Sequence, residues 1–150
     1  MVQMTIHPGS GDSDVRQRLV PREWLDRDHR RLRSSALEVA LAHGARPSPD
    51  SVTVVLAARV WCDEFPPGLW TAEIVRQLLW LDIGTWCDEF DVDLPHDVPL
   101  AMWAVVTAAH AGGHLAPGSQ DLAELLAPLV DSSGFRPPDR GRRRRGAAAS

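Results

Sequence analysis

The pentapeptide Trp-Cys-Asp-Glu-Phe occurs twice in this 150-residue chain, at positions 61–65 and 86–90, and each copy carries side chains capable of chemistry. A copy offers one thiol, two adjacent carboxylates and two aromatic rings. Residues four apart share one face of a helix, so the Trp and Phe rings lie together while the Asp-Glu pair points towards solvent or a partner. The surrounding hydrophobic spacing predicts that both copies lie at helix C-terminal ends.

The carboxylates of both copies are in an unfavourable place for acids. Two acids at a helix C-terminus oppose the negative end of the helix dipole, at a cost of up to about 1 kcal/mol each when exposed. A local rule that is broken twice can mark a functional site. The structural alternative is that the rings close the core while the acids are merely solvated, as an old helix duplication would leave them.

The ligand types of a Cys₂His₂ metal site are present in the sequence as Cys62, Cys87, His110 and His114, and the two histidines are four residues apart. If the second and third helices pack antiparallel, however, the two pentapeptides lie on the order of 20 Å apart, too far for one ion. The cysteines form no Cys-x-x-Cys pair, and two glycines separate the histidines. The sequence therefore predicts no metal and no other cofactor, with these four residues as the candidates if one is bound.

Other catalytic patterns are missing from the sequence. Adjacent helical residues diverge by about 100°, so Asp63 and Glu64 would not converge on one bond. There is no Glu-x-x-His pair, Gly-x-Ser-x-Gly elbow, phosphate-binding Gly loop or His-Glu-x-x-His motif. A non-enzymatic protein is the prediction, and an enzyme or metal-binding protein is the second alternative.

Hydrophobic residues recur at helical spacing along most of the chain, and no stretch alternates as a strand would. The predicted fold class is all-α, a compact bundle of about five helices with a disordered N-terminal lead-in and C-terminal tail. The predicted helices span residues 21–43, 49–65, 72–90, 98–111 and 120–128. The fourth is apolar nearly all round, which predicts a central, buried helix. The domain organisation is a lead-in at 1–18, a helical domain at 19–132 and an Arg-rich tail at 133–150.

Capping residues and helix breakers set these predicted ends. Ser48, Thr71, Asp97 and Ser119 each precede a helix and have side chains that accept hydrogen bonds from its first turn. Pro128 is predicted to stop the fifth helix, because proline lacks the N–H that a helix interior requires.

Charge is distributed unevenly along the chain, whose formal net charge is −4. Six of the sixteen Arg lie in residues 136–150, so the helical domain itself is acidic and repels phosphate. The tail is dense enough in arginine to bind phosphates, without sequence preference and with a strong salt dependence. The first alternative is therefore a nucleic-acid-associated protein that uses the tail residues Arg140, Arg142, Arg143, Arg144 and Arg145. The structural alternative is a tail that keeps the protein in solution or folds back on the acidic domain.

Every cationic side chain is Arg, and Lys and Tyr are absent, which is typical of a high-GC bacterial genome. The first fifteen residues lack the pattern of a secretory signal, and the longest apolar stretch, 98–111, is shorter than the roughly 20 residues of a membrane span. The sequence therefore predicts a cytoplasmic bacterial protein with no membrane anchor and with reduced cysteines.

Most of the six Trp are predicted to belong to the core. Trp70, in the connection after Pro-Pro-Gly, is expected to be partly exposed, and aromatic residues beside acids are favoured anchors for a protein partner. The leading hypothesis is a protein-interaction or regulatory module. Its predicted partner-binding residues are Asp63, Glu64, Trp70, Asp88 and Glu89.

Overall fold

The computed structural model describes residues 25–62, 65–66, 68–113 and 115–138, which form five helices and no strand. The prediction of an all-α fold is confirmed for these residues. The predicted lead-in at 1–18 and the tail residues from 139 onwards lie outside the described part. The helices are α1 (Arg27–Ala42), α2 (Pro49–Trp61), α3 in three consecutive parts (Ala72–Gln77, Leu78–Asp82 and Ile83–Phe90), α4 (Val98–Ala111) and α5 (Leu122–Ser133).

α4 is the central helix, as its nearly uniform apolar composition predicts. It packs against α1, α2 and α5 and also contacts the middle of α3. Most of its side chains are buried, including Trp103 and Met102. Among the described residues, no helix is both long enough and apolar enough to cross a membrane.

The middle of α3 is a π-helical turn, Leu78–Asp82. The N–H of Ile83 donates to the carbonyl of Leu78, five residues earlier, so the turn contains an extra residue. Leu78, Asp82 and Ile83 are buried, whereas Trp80 and Leu81 are exposed. At this turn, the inner side of α3 is buried and its outer side carries large apolar side chains.

Local capping places some helix ends where the sequence predicts them and shifts others. Thr71 caps α3 as predicted, since its Oγ1 accepts a hydrogen bond from the N–H of Ile74 at 3.2 Å. The described part of α1 begins later than predicted, because Asp26 accepts a bond from the N–H of His29 at 2.8 Å and acts as its N-cap. α2 ends at Trp61, four residues before its predicted end.

The two predictions for the ends of α5 are wrong. Asp121 is the N-cap, with Oδ1 accepting from the N–H of Glu124 at 3.0 Å, whereas Ser119 is used elsewhere. Pro128 lies inside the helix, which continues to Ser133. The fully buried side chains of Leu125 and Leu129 flank the proline, and their packing offsets the single backbone bond that it removes.

Asp97 joins the starts of two helices. It occupies the N-cap position of α4 but makes no side-chain bond to that helix. Its carboxylate instead accepts hydrogen bonds from the N–H of Ser48, at 2.8 Å, and from the Ser51 hydroxyl. Ser48, the predicted cap of α2, likewise makes no side-chain cap bond. A carboxylate distant in sequence therefore satisfies the first turn of α2.

Candidate functional site

The two copies of the pentapeptide have different backbone conformations. α2 ends at Trp61, and Cys62 already has a non-helical backbone, so the first copy leaves its helix at its start. The second copy forms the last residues of α3, as predicted. Trp61 is 42% exposed, whereas Trp86 is 1% exposed. Asp63 and Glu64, two of the predicted partner-binding residues, lie outside the described residues.

The two copies nevertheless meet, which corrects the expectation that they lie on the order of 20 Å apart. The Trp61 and Phe90 rings form a T-shaped contact, with centroids 6.0 Å apart and planes at 82°. Phe90 also packs on Trp86, at 5.2 Å. The expected separation assumed antiparallel helices with distant ends, but the last turn of α2 lies beside the second half of α3.

A buried arginine, Arg59, lies beneath the first copy. Its Nη2 donates hydrogen bonds to the carbonyl oxygens of Pro66, at 2.9 Å, and Leu69, at 2.8 Å. Its guanidinium lies over the Trp70 ring, with Cζ 5.3 Å from the centroid. Its Nε has no acceptor among the described residues. Because both carbonyls belong to the α2–α3 connection, Arg59 holds that connection against the core.

Three polar side chains extend this buried cluster towards α3. The Gln77 amide donates to Asp82 Oδ2 at 3.2 Å and lies 3.9 Å from Cys62 Sγ. Burial lowers the pKa of Arg59, and the negative charges of Cys62 and Asp82 oppose that shift. The cluster therefore places one buried cation near groups that carry the opposite charge when ionised.

The two thiols have different surroundings. Cys87 is buried, and burial together with the carboxylates of Asp88 and Asp93 raises its pKa to about 11. Cys62 is half-buried beside the Gln77 amide. In the described part of the chain, no three His, Cys, Asp or Glu side chains are grouped closely enough to hold a metal ion. His110 is exposed at the end of α4, and His114 lies outside the described residues.

The expectation that Trp70 is exposed is wrong, since only 3% of it is accessible. One side of its ring is covered by Arg59. The backbone N–H of Trp70 donates to Ser119 Oγ at 3.0 Å, and the backbone carbonyl of Trp70 accepts from the N–H of Gln120 at 3.0 Å. The connection before α5 thus folds over Trp70 and leaves its side chain buried.

Among the described residues, the outer side of α3 carries the most exposed pair of neighbouring large apolar side chains. Trp80 is 62% exposed and Leu81 is 58% exposed. We call this surface the Trp80 face and define it by the outward positions of α3 from 76 to 89, which are Arg76, Trp80, Leu81, Gly84, Thr85, Asp88 and Glu89. It includes Asp88 and Glu89, two of the predicted partner-binding residues, and both are exposed.

Sequence reasoning missed Trp80 and Leu81, although the sequence contains the signal that identifies them. The apolar positions of α3 that fit a single helical face include Leu78 and Trp86. Trp80 and Leu81 fall outside that set, and large apolar residues on the polar side of a helix are candidates for a docking surface.

A cleft of about 280 Å³ lies between the start of α2 and the α3–α4 connection. Its polar lining consists of Ser48, Asp50, Ser51, Asp93, His96 and Asp97. The two oxygens of Asp97 already accept hydrogen bonds from α2. The cleft is therefore acidic, but the carboxylate of Asp97 is engaged in hydrogen bonds to the start of α2.

Comparison of the chain with protein-family models, with curated proteins and with solved structures finds no match. The functional inference therefore depends on the chain's own residues. Among them, the Trp80 face combines exposed apolar side chains with exposed charges on a helix, and it is the candidate functional site.

Proposed function

We propose that this chain is a non-enzymatic protein-interaction module and that the Trp80 face is its docking surface. The observation that carries the proposal is the adjacent pair Trp80 and Leu81, whose side chains are mostly exposed. Single exposed apolar residues are ordinary on protein surfaces, but Trp80 and Leu81 are both mostly exposed on the outer side of α3 and together offer apolar surface that binding would bury.

Charged residues border this patch as they border known protein interfaces. Arg76 lies one turn before Trp80, and Asp88 and Glu89 lie two turns after it. None of the three makes an ion pair or a hydrogen bond through its side chain to the described residues. An aromatic centre with a charged rim is the usual composition of a docking surface.

The rigidity of α3 also supports the proposal. Its inner side is fixed by the buried side chains of Leu78, Ile83 and Trp86. A side chain that projects from a helix fixed in this way loses little backbone freedom on binding. The partner that fits is a helix whose apolar side chains cover Trp80 and whose cation lies near Asp88.

The test uses a photo-crosslinking residue in place of Leu81, with Leu41 as the matched control. Leu41 is also 58% exposed, but it lies on α1. We expect illumination of an extract of the host, supplemented with the purified chain, to give a discrete protein adduct from position 81. Position 41 gives none, and the substitution Trp80→Ala removes the adduct from position 81.

Equal adducts from the two positions, or none from position 81, would contradict the proposal. The same extract is also divided and treated with nuclease. An adduct that disappears with nuclease would favour the alternative function, nucleic-acid association through Arg140 and the run from Arg142 to Arg145. That result predicts steep salt dependence and loss of duplex binding when residues 136–150 are deleted.

A further inference from the structure

We propose that the partner of the Trp80 face is a second copy of this chain, with the two α3 helices antiparallel across a two-fold axis at the level of Asp82. This inference rests on the proposed function of the same face. A two-fold interface uses one surface twice, so that surface must be complementary to itself. The residues of the Trp80 face satisfy this condition in spacing, in shape and in charge.

The spacing is symmetric about position 82. Arg76 and Asp88 each lie six residues from it, and Trp80 and Gly84 each lie two residues from it. In an antiparallel pair centred there, these residue counts bring Arg76 of one copy to within about one residue rise of the level of Asp88 of the other, and Trp80 to a similar distance from the level of Gly84. The Asp82 side chain is buried on the inner side of α3, so it does not lie between the two copies where the two-fold axis passes the outer side.

The shape is complementary because a glycine lies opposite the largest side chain. An added Cβ at Gly84 meets no other atom within 4 Å, so the helix surface is open at that point. A position without a side chain permits close approach of a neighbouring group. The indole of the second copy's Trp80 therefore has a flat, unoccupied stretch of helix on which to pack, beside Leu81 of the first copy.

The charges select the antiparallel orientation. A parallel pair would place Arg76 against Arg76 and Asp88 against Asp88, whereas the antiparallel pair places each Arg against an acid. Glu73 and Asp91, nine residues from the centre on either side, would be like charges at one level. Packed helices cross at about 20° to 50°, which separates these outer positions more than the inner ones.

The first experiment measures the mass of the purified chain by sedimentation equilibrium over a concentration series. We expect a monomer–dimer equilibrium. The substitution Trp80→Ala raises its dissociation constant about 30-fold or more, as loss of a central aromatic anchor does. The matched substitution Leu41→Ala changes the constant less than about twofold. Far-UV circular dichroism confirms that both variants are folded.

Charge exchange then tests the orientation. Arg76→Glu and Asp88→Arg each place like charges opposite one another in a homodimer, and each weakens it about tenfold. An equal mixture of the two variants forms a heterodimer in which each facing pair joins a cation to an anion, so dimerisation is restored. A mixture that remains as weak as its components, beside a dimeric parent chain, would overturn the antiparallel arrangement.

The outcomes separate this inference from the proposed function. A purified chain that is monomeric at every concentration overturns self-association, and if position 81 still gives its Trp80-dependent adduct in extract, the interaction module stands with a different partner. Loss of both the dimer and the adduct overturns both proposals. A dimer that Trp80→Ala leaves unchanged also overturns the inference, because its interface then lies elsewhere.

Discussion

The two pentapeptide copies have identical residues and different structures. The first is released from its helix and exposes much of Trp61, while the second remains helical and buries Trp86. The residues that follow each copy explain the difference. Two prolines follow the first copy and disfavour helical backbone before them. The second copy is followed by Asp91, which ends α3 in the left-handed conformation at φ 56°.

The residues before each copy differ too. Position 59, two residues before the first copy, is an Arg that binds the connecting backbone, whereas the corresponding position of the second copy is Gly84. A sequence repeat therefore predicts neither equal burial nor equal chemistry. Contacts outside the five residues decide whether a copy closes the core or lies near the surface.

The largest expected difference between the copies is in their contributions to stability. Trp86→Ala empties a fully buried site and should lower the free energy of unfolding by about 3–5 kcal/mol. Trp61→Ala removes a half-exposed ring in edge contact with Phe90 and should cost about 1 kcal/mol or less. Urea unfolding followed by circular dichroism measures both. Equal losses would show that exposure does not distinguish the copies.

The second-largest expected effect on stability concerns Arg59, which precedes the first copy and has no counterpart before the second. Arg59→Met removes two hydrogen bonds from a charged donor to carbonyls of the α2–α3 connection, and we expect a loss of about 2–3 kcal/mol. Arg46→Met, at an exposed position, is the control and should change stability by less than about 0.5 kcal/mol. If both substitutions are neutral in the same urea experiment, Arg59 does not hold the connection.

The thiols should differ in their rates of modification. With its pKa raised to about 11, Cys87 is only about 0.1% thiolate at pH 8, and it is also buried. The Cys87→Ser variant, which retains Cys62, should therefore react with a thiol reagent more than about tenfold faster than the Cys62→Ser variant. The rates should become equal in urea. Equal rates in the native state would contradict the assigned surroundings.

The smallest effect is on stability at alkaline pH. Because the folded pKa of Cys87 exceeds its usual 9.0, folding favours the protonated thiol, and its contribution is complete below pH 9 and lost as the pH rises towards 11. The chain has no Lys or Tyr, so few other groups titrate in that window. The free energy of unfolding should therefore fall less steeply in Cys87→Ala than in Cys62→Ala. Identical slopes would contradict the prediction.

Much of the fold was predictable because local chemistry determines it. Thr71 caps α3 by a hydrogen bond to the N–H of Ile74, only three residues later. The uniformly apolar 98–111 segment has to be buried. The errors arise where distant contacts decide the outcome. Pro128 continues a helix because of its packed neighbours, and Asp97 serves α2 from 46 and 49 residues away.

The candidate site was predictable only in part, for the same reason. Asp88 and Glu89 are exposed because they follow the helical pattern. Trp70 is buried because Arg59 and Ser119 cover it, and no local pattern indicates a contact across 49 residues. Trp80 was identifiable as an apolar residue on the polar side of α3, but its exposure also depends on the π-helical turn, which hydrophobic spacing does not predict.

The π-helical turn Leu78–Asp82 also constrains how this gene can change over generations. Because the turn contains one extra residue, deleting one codon there would restore ordinary α-helical bonding and leave the later residues of α3 on their present faces. Deleting a codon between the turn and Trp86 would instead rotate the residues after it by about 100°, and Trp86 and Cys87 would leave the core together. The turn is therefore the part of α3 in which the gene can lose one codon while the helix keeps its inner side.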